Sequence, residues 1–388
     1  MPIVNRIADF HDEMTKVRRD LHQQPELMFD VPLTVQRIVK ELKSYGIDDI
    51  TTGVGKSGIV AVIEGKTNKS GKTVGLRADM DALPLQETSG KPYASTVAGV
   101  MHACGHDGHT TMLLAAAKYL QESRNFDGKV VLIFQPAEEG GGGAREMIND
   151  GLISRWGIDE VYGMHNWPEL DLGTFAICKG ALMASADRIL IDVEGKGGHA
   201  AKPHQGVDTV VVMAAIIQAV QTLVSRNTDP QQALVVSLCH VKAGFTDNVL
   251  PQTGMIEGTV RTLDPDVRDM AERRLKEVVE GTAAVYGAHA TLHYKRDYPV
   301  TVNHDEPTER AAAIARSIVG DDRVDDTFVP SMGAEDFSFM LEACPGAFIF
   351  VGNGHSAPLH HPDYDFNDEV IPIGASYWIK TVEAALPA

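Results

Sequence analysis

The chain is poor in cysteine and in positive charge. It has four cysteines in 388 residues, Cys104, Cys178, Cys239 and Cys344, and none stands in a CxxC pair. Cysteines scattered in this way argue against a disulfide framework. Lys and Arg total 35 against 53 Asp and Glu, a formal net charge of -18. Nucleic-acid and anionic-membrane partners are therefore not expected, because phosphate binding needs clustered basic side chains.

Long hydrophobic runs are also lacking. The segment from Arg6 to Arg19 is charged throughout and has no apolar core of the kind found in signal peptides. We find no uninterrupted apolar run of membrane length, so we expect a cytoplasmic protein. At 388 residues the chain exceeds what one hydrophobic core usually serves, and two domains are expected.

What the chain does have is a concentration of metal-binding residue types in one span. Residues 101–107 read MHACGHD, residues 135–139 read QPAEE, and residues 163–166 read GMHN. A thiol, imidazoles and paired carboxylates in so short a span are what a metallohydrolase needs. The span is the first candidate for a functional site.

Predicted strands lead to these residues. The apolar runs 73–78, 129–134, 160–164 and 347–351 read as strands of a sheet buried on both faces. Each is followed by acids or imidazoles, in chain order Asp79 and Asp81, Glu138 and Glu139, His165, and His355, His360 and His361. In open α/β sheets, ligands bind outside the carboxyl ends of the strands. We therefore expect the four strands to deliver these side chains to one edge.

Spacing within the motifs adds detail. In extended chain, residues two apart project to one side and neighbours project to opposite sides. Cys104 and His106 are therefore expected to share a target, whereas Glu138 and Glu139 should diverge. Such a divergence would leave one carboxylate for a metal and the other for a water or substrate.

The stretch between these strands predicts a second domain. Strands at 188–193, 233–238, 254–261 and 290–294 alternate with helices at 207–224 and 266–286. The order is β-α-β-β-α-β, the split-βαβ or ferredoxin-like pattern. The prediction is an α/β protein with two domains. A mixed-sheet dinuclear metallohydrolase domain, residues 1–185 and 298–388, would carry an inserted ferredoxin-like α+β lid and dimerisation domain, residues 186–297.

Several motifs along nearly the whole chain resemble one family. They are, in order, 18–22 (RRDLH) with 25–27 (PEL), 76–84 (LRADMDALP), the segments of Cys104 and Glu138, 195–201 (GKGGHAA) and 332–337 (MGAEDF). Together they resemble the M20 metallopeptidases and amidohydrolases. Within that family they look like the branch of hippurate hydrolases, N-acyl-amino-acid amidohydrolases and plant auxin-conjugate hydrolases.

The resemblance implies a set of site residues. Two divalent metal ions would be bound by Cys104, His106, Glu139, His165 and His360, with Cys104 as the bridging ligand. The family's terminal histidine lies two positions before a proline, here Pro362, which selects His360 over His361. Glu138 would be the general base, and Asp81 would lie behind the metals and orient a ligand or tune the base.

The metal itself stays open at this point. Other M20 branches have an aspartate where this chain has Cys104 and a histidine where it has Asp79. Thiolate and imidazole favour zinc or another borderline-soft ion, whereas oxygen donors suit manganese. The expected ions are thus manganese or zinc, with nickel and cobalt as alternatives.

The resemblance also assigns roles within the insert. In this family the insert mediates dimerisation and contributes to the active site, sometimes across the dimer. His199 would then help to stabilise the tetrahedral oxyanion, and Asn248 and Arg261 would bind the substrate carboxylate. An Arg fork pairs well with a carboxylate, and a donor aimed at developing negative charge lowers a barrier.

These expectations point to a metal-dependent amidohydrolase that releases a carboxylic acid and a free amino acid from hippurate-like or N-acetyl amino acids. A dipeptidase or carboxypeptidase of the same family remains an alternative. So do a metal-independent thiol hydrolase with Cys104 as nucleophile and a binding protein without turnover. The sequence leaves open the acyl group, the side chain, the physiological metal, any assembly beyond a homodimer, and the roles of His102, His109, Glu335 and Asp336.

Overall fold

The structure, a computed structural model, describes residues 4–388, and these divide into two compact units. The first unit runs to Leu182 and also contains Thr301–Val329 and Asp336–Ala388. The second unit contains Met183–Val300 and Pro330–Glu335. The short segment Pro330–Glu335 has no counterpart in the predicted insert, which ended at residue 297.

The described residues form the following regular elements. The strands are β1 (Ile50–Val54), β2 (Gly58–Glu64), β3 (Thr73–Asp79), β4 (Lys129–Gln135), β5 (Glu160–Trp167), β6 (Phe175–Ala176), β7 (Gly180–Met183), β8 (Ala186–Glu194), β9 (Gly198–His199), β10 (Leu234–Ala243), β11 (Val249–Leu250), β12 (Thr253–Thr262), β13 (His289–Tyr298), β14 (Thr301–Asn303), β15 (Val324–Asp325) and β16 (Gly346–Gly352). The α-helices are α1 (Asn5–Ala8), α2 (His11–Gln23), α3 (Pro32–Ser44), α4 (His106–Ser123), α5 (Gly143–Asn149), α6 (Leu152–Trp156), α7 (Thr209–Val220), α8 (Pro265–Val285), α9 (Asp305–Val319), α10 (Ser338–Ala343) and α11 (Val370–Ala385).

A mixed eight-stranded sheet organises the first unit. Its strand order is β1-β2-β4-β3-β5-β16-β6-β15. The central strands β4, β3, β5 and β16 are parallel neighbours, and nearly all of their residues are buried, as their continuous apolar runs predict. Parallel strands end at the same edge of a sheet, so the expectation that these four strands share one ligand-bearing edge is confirmed.

Helices cover this sheet and fix the loops at its edge. Helix α4 packs against α2 and α11, and its apolar stretch from Met112 to Ala117 is fully buried. Because α4 begins at His106, the packing of this helix holds a predicted metal ligand in place.

The second unit is a small antiparallel sheet with helices. Its strand order is β10-β12-β8-β13, and each neighbouring pair is antiparallel. Helices α7 and α8 share one hydrophobic core with this sheet, with Ile216 and Leu275 fully buried in it. A separate short ladder pairs β9 with β11.

One segment of this unit is apolar enough to raise the question of a membrane. By length and composition alone, Thr209–Asn227 could cross one. Its Val212, Ile216 and Val220 are buried in the core of the unit, whereas Val210 and Val211 are 50% and 49% exposed. A core helix of an ordinary globular unit has the same composition, so the segment is weak evidence for membrane insertion.

Candidate metal centre

The carboxyl ends of the central strands carry the predicted site residues of the first unit. Asp79 is the last residue of β3, and Gln135, the last residue of β4, leads to Glu138 and Glu139. His165 lies inside β5 rather than just past it, because β5 continues to Trp167. The loop after β16 brings His360 to the same edge.

Donor atoms converge there in two overlapping groups. Cys104, His106 and His165 each place a ligand atom within 4.8 Å of the other two. Cys104, Glu139 and His360 form a second group by the same measure. The five predicted ligands are therefore brought together. Because Cys104 is common to both groups, its position is suited to contact two ions.

Backbone carbonyls set the tautomers of two histidines. His106 Nδ1 is 2.8 Å from the carbonyl oxygen of Asp81, and His165 Nδ1 is 2.7 Å from that of Asn166. A carbonyl oxygen only accepts, so each Nδ1 carries the hydrogen and donates. In the neutral ring, which is the form that binds a metal, each Nε2 then presents its lone pair, and that of His165 lies 3.3 Å from Cys104 Sγ. Histidine metal ligands have this arrangement, with the second ring nitrogen held by an outer partner.

Two buried polar atoms indicate whether the site fits a cation. His106 Nε2 and Glu139 Oε1 are buried and form no hydrogen bond with any of the described residues. Buried polar atoms are rarely left in this state, and a divalent ion would satisfy both. A thiol, three imidazoles and a carboxylate are ligands that zinc and similar ions accept. The donor set thus fits divalent metal ions.

The electrostatics of the site also favour a cation. Burial raises the pKa of the Cys104 thiol well above its ordinary value, and the charges of Glu139 and Glu138 raise it further. Burial alone would raise the pKa of Glu139 as well, but the nearby imidazoles of His360 and His106 outweigh it, so this pKa is lowered. A bound cation would offset these effects and stabilise Cys104 as a thiolate.

A turn, not an extended strand, carries the paired glutamates. Ala137 has a left-handed backbone with φ 55°, and Glu138 and Glu139 follow in a turn. The predicted divergence of the two side chains is therefore wrong. Both glutamates place a carboxylate oxygen within 4.8 Å of a ligand atom of His106. Neighbouring side chains project to opposite sides only in extended backbone, and the backbone leaves that conformation just after Pro136.

The Asp81 carboxylate holds this turn through hydrogen bonds to its backbone. Its carboxylate accepts the backbone N–H of Glu138 at 2.9 Å and that of Glu139 at 3.2 Å. Burial raises the pKa of Asp81, although hydrogen bonding to His106 opposes the rise. Asp81 thus holds the backbone of both glutamates next to the predicted ligands.

A second layer of polar residues supports the ligands, and parts of it were missed from the sequence. Asp79 receives hydrogen bonds from His109 Nδ1 at 2.6 Å and from Arg77 Nη1 at 2.7 Å. Asn166 contacts His109 Nε2 and donates to the hydroxyl of Tyr364 at 2.6 Å. The signal available in the sequence was Arg77, a charged residue inside an otherwise apolar strand, which must find buried partners.

Close packing at the start of α4 depends on a glycine. Gly105 has φ 90°, a left-handed conformation, and caps α4 next to His106. A Cβ atom at this position would lie 2.3 Å from Asn166 Oδ1. Any other residue would therefore displace Asn166 or the ligand loop.

The last predicted ligand has an uncommon backbone conformation and is held by a backbone hydrogen bond. His360 also has a left-handed backbone, with φ 61°, which is uncommon for a residue other than glycine. Its N–H donates to the carbonyl oxygen of Ala103 at 2.8 Å, next to Cys104. His360 Nε2 lies 3.4 Å from Glu139 Oε1. All three histidines of this loop are exposed, but His355 and His361 contact Asp171 and Asp363 and not Glu139.

The residues whose roles the sequence left open have different surroundings. His109 belongs to the supporting layer described above. His102 is buried without a hydrogen bond from its ring to the described residues, and burial lowers its pKa to about 4. Asp336 accepts hydrogen bonds from Gln135 Nε2 and from the backbone of Ala144, a structural role in the first unit. Glu335 belongs to the second unit.

The predicted oxyanion and substrate residues all lie in the second unit. His199 is in β9, opposite Val249 of β11, and the neighbouring Ala200 N–H donates to the carbonyl oxygen of Asn248 at 3.1 Å. The structure thus brings His199 and Asn248 together at one end of this short ladder, where both are exposed. Arg261 is half-buried in β12, and burial lowers its pKa.

Comparison with known proteins identifies the family. Peptidase family M20/M25/M40 matches residues 75–384. The hippurate hydrolase of Campylobacter jejuni is 41% identical over 380 residues, which are 98% of either chain. The N-acetyl-L-cysteine deacetylase of Bacillus subtilis is 41% identical over 96% of this chain and 88% of its own.

A solved structure agrees with these sequence matches. The YXEP protein of Bacillus subtilis, described as a dinuclear metal binding peptidase from the M20 family, aligns with a TM-score of 0.85 at 34% identity. The alignment covers 98% of this chain and 99% of that one. The chain belongs to the M20 peptidase family, and it is a hydrolase with a mixed-sheet α/β fold.

Proposed function

We propose that the protein is a metal-dependent amidohydrolase that cleaves the amide bond of N-acyl amino acids and releases a carboxylic acid and a free amino acid. The observation that carries this proposal is the cluster of five donors around Cys104, with Glu138 beside it. The identities to a hippurate hydrolase and to an N-acetyl-L-cysteine deacetylase support an N-acyl amino acid as the substrate class.

We assign the following roles to residues of the first unit. Two divalent ions, held by Cys104, His106, Glu139, His165 and His360, would polarise the amide carbonyl and make a bound water more acidic. Glu138 takes the proton of that water and returns it to the leaving amine. Asp81 keeps Glu138 in position through the backbone hydrogen bond at 2.9 Å. The donor set supports manganese or zinc, with nickel and cobalt as alternatives.

Residues of the second unit complete the proposal. His199 would donate to the oxyanion that forms on the carbonyl oxygen, and Asn248 and Arg261 would bind the carboxylate of the amino acid. Arg261 suits this task because its fork pairs with both oxygens of a carboxylate. The exposed position of His199 and Asn248 leaves both side chains available to a ligand.

We also propose that the second unit is a ferredoxin-like inserted lid through which a cytoplasmic homodimer forms. Its β-α-β-β-α-β order and its strand order support the fold. Exposed valines support an interface: Val210 and Val211 on α7 and Val241 on the edge strand β10 are each about half exposed. Sedimentation of Val241→Glu should show monomer. The control Val285→Glu, changed at a residue that is 83% exposed at the end of α8, should sediment as the wild type does.

The substrate class is tested by amine release from a panel. N-benzoyl, N-acetyl and indole-acetyl amino acids and unmodified dipeptides are incubated with protein that was stripped with EDTA and resupplied with manganese or zinc. Metal-restored release from one acyl class supports the proposal and names the class. Release from dipeptides alone would replace it with the dipeptidase alternative. The Glu138→Gln variant, purified in parallel, controls for contaminating enzymes.

A further inference from the structure

A buried histidine of helix α2, His22, contacts two segments that lead to the predicted metal ligands. His22 of α2 is 1% exposed. Its Nδ1 lies 2.8 Å from Asp107 Oδ2, and its Nε2 lies 3.4 Å from Glu87 Oε2. Since both ring nitrogens face carboxylates, the doubly protonated ring satisfies both neighbours. Burial alone would lower the pKa of His22, but the charge and hydrogen bond of Asp107 raise it to about 9.

The Asp107 side of this contact leads to the first group of ligands. Asp107 directly follows the predicted ligand His106 in the first turn of α4. Its other carboxylate oxygen accepts the backbone N–H of Gly108 at 3.0 Å. By holding Asp107, His22 fixes the helical turn that presents His106.

The Glu87 side leads to the second group. Glu87 Oε2 also accepts the backbone N–H of Ser95 at 2.7 Å. The next residue, Thr88, donates its N–H to the carbonyl oxygen of Pro362 at 2.9 Å, and its hydroxyl donates to Asp363. Pro362 is two residues after the predicted ligand His360. A short path of contacts therefore runs from His22 to the loop of His360.

Arg18 strengthens the same connection. It lies one helical turn before His22, on the same face of α2, and is fully buried. Arg18 Nε donates to Asp368 Oδ1 at 2.7 Å, and its Nη1 lies 3.6 Å from Asp107 Oδ2. Two cations on one helix face thus hold the start of α4 and the segment after His360 together.

We propose that His22 is a positioning residue of the dinuclear centre, which joins the turn of His106 to the loop of His360 through Asp107 and Glu87. It touches neither the metals nor the substrate. Its contribution is to keep the two ligand groups at the separation that lets both ions bind. The motif 18–22, unassigned by the proposed mechanism, then has a physical role. This inference rests on the proposed metal centre.

The test is metal binding by a variant that keeps the size of the side chain. His22→Gln removes the charge and one of the two contacts. EDTA-stripped protein is titrated with zinc or manganese in a calorimeter, and the ions bound per chain are counted. We expect the dissociation constant of at least one ion to rise by about 10-fold to 100-fold, as for other residues that orient metal ligands. In the cobalt-loaded protein, the absorption band of the Cys104 thiolate should also change.

A matched control separates positioning from general destabilisation. His304 is a half-buried histidine of the same unit, and its Nδ1 contacts the backbone of Gly346 at the amino end of β16. His304→Gln should lower the melting temperature without changing either dissociation constant. Should His22→Gln fail to fold, Glu87→Gln decides the question, because it weakens the contact of His22 on the side of His360 and leaves the contact of His22 with Asp107 intact. It is expected to weaken the binding of one ion.

Other outcomes are equally clear. Wild-type dissociation constants for both ions in folded His22→Gln, or in Glu87→Gln where His22→Gln does not fold, would overturn the proposal. A wild-type protein that binds two ions but hydrolyses no N-acyl amino acid would refute the proposed substrate class and leave the role of His22 to be decided by the titration. A wild-type protein that binds no ion would refute both.

Discussion

The two units of the chain present their predicted functional residues in opposite ways. In the first unit, Cys104, His106 and His165 are buried, and backbone carbonyls hold one ring nitrogen of each histidine. His360 is the exposed member of the five predicted ligands, and a backbone hydrogen bond to Ala103 holds it. In the second unit, His199 and Asn248 are exposed, and Arg261 is half-buried. The first set is fixed by its own fold, whereas the second set is left free to meet a ligand.

This difference separates two tasks of a hydrolase. Holding metal ions requires donor atoms fixed to within a fraction of an ångström, and buried strands with supporting hydrogen bonds provide that. Binding a substrate requires groups that water, substrate and product reach in turn. We therefore expect changes in the first unit to alter metal binding and kcat, and changes at Arg261 and Asn248 to alter KM.

The largest effect is expected at the proposed base. Glu138→Gln keeps the shape of the side chain but cannot accept the proton of a water, so kcat should fall by about 100-fold to 10,000-fold. The metal content, measured by mass spectrometry, should stay at the wild-type level. Loss of metal with this substitution would mean that Glu138 and Glu139 have exchanged roles.

A smaller fall in kcat is expected for a substitution of His199 in the second unit. His199→Gln should lower kcat by about 100-fold to 1,000-fold, the usual effect of removing one donor to an oxyanion, with metal binding unchanged. Unchanged kcat would refute the role assigned to His199 in the chemical step. His204, an exposed histidine of the same unit, offers a control as His204→Gln.

The next largest effect is expected at Asp81, whose carboxylate accepts the backbone N–H groups of the two glutamates. Asp81→Asn should leave one of the two backbone N–H groups of Glu138 and Glu139 poorly paired. We expect kcat/KM and metal affinity to fall by about 10-fold to 100-fold. Wild-type values for both quantities would show that the turn keeps its shape without this carboxylate.

Substrate affinity should respond to Arg261. Arg261→Lys retains the charge but loses the planar fork, so we expect KM to rise by roughly 10-fold with little change in kcat. An N-acyl amine without a carboxylate should show no difference between wild type and variant. A fall in kcat alone would contradict the assignment of Arg261 to substrate binding.

The smallest effect is a dependence of stability on pH. The pKa of His22 is raised to about 9 from the ordinary 6.5. Its contribution to the free energy of unfolding is therefore complete below about pH 6.5 and is lost as the pH rises through 9. At 1.36 kcal/mol per pH unit, the loss is about 3 kcal/mol at most. Between pH 6.5 and 9.5, the free energy of unfolding measured with urea should fall more for wild type than for His22→Gln. Equal falls would contradict this contribution of His22.

How far the sequence predicts this molecule depends on whether a feature is local. The four central strands and their shared edge follow from apolar runs and from a general rule about parallel sheets. The turn at Ala137 and the extension of β5 past His165 were not predicted, because each depends on neighbouring strands and loops. Arg18 and His22 stood in the sequence as a motif, but their partners Asp107 and Asp368 are distant in the chain, and only the fold brings them together.

The central claim is that activity comes from two metal ions held around Cys104. The most direct test is to add manganese or zinc stepwise to EDTA-stripped protein and to measure, in one series, the ions bound per chain and the release of amine from the best N-acyl amino acid. We expect no release from stripped protein and full release at two ions per chain. Full release without metal, abolished by alkylation of Cys104, would contradict it and identify a thiol hydrolase.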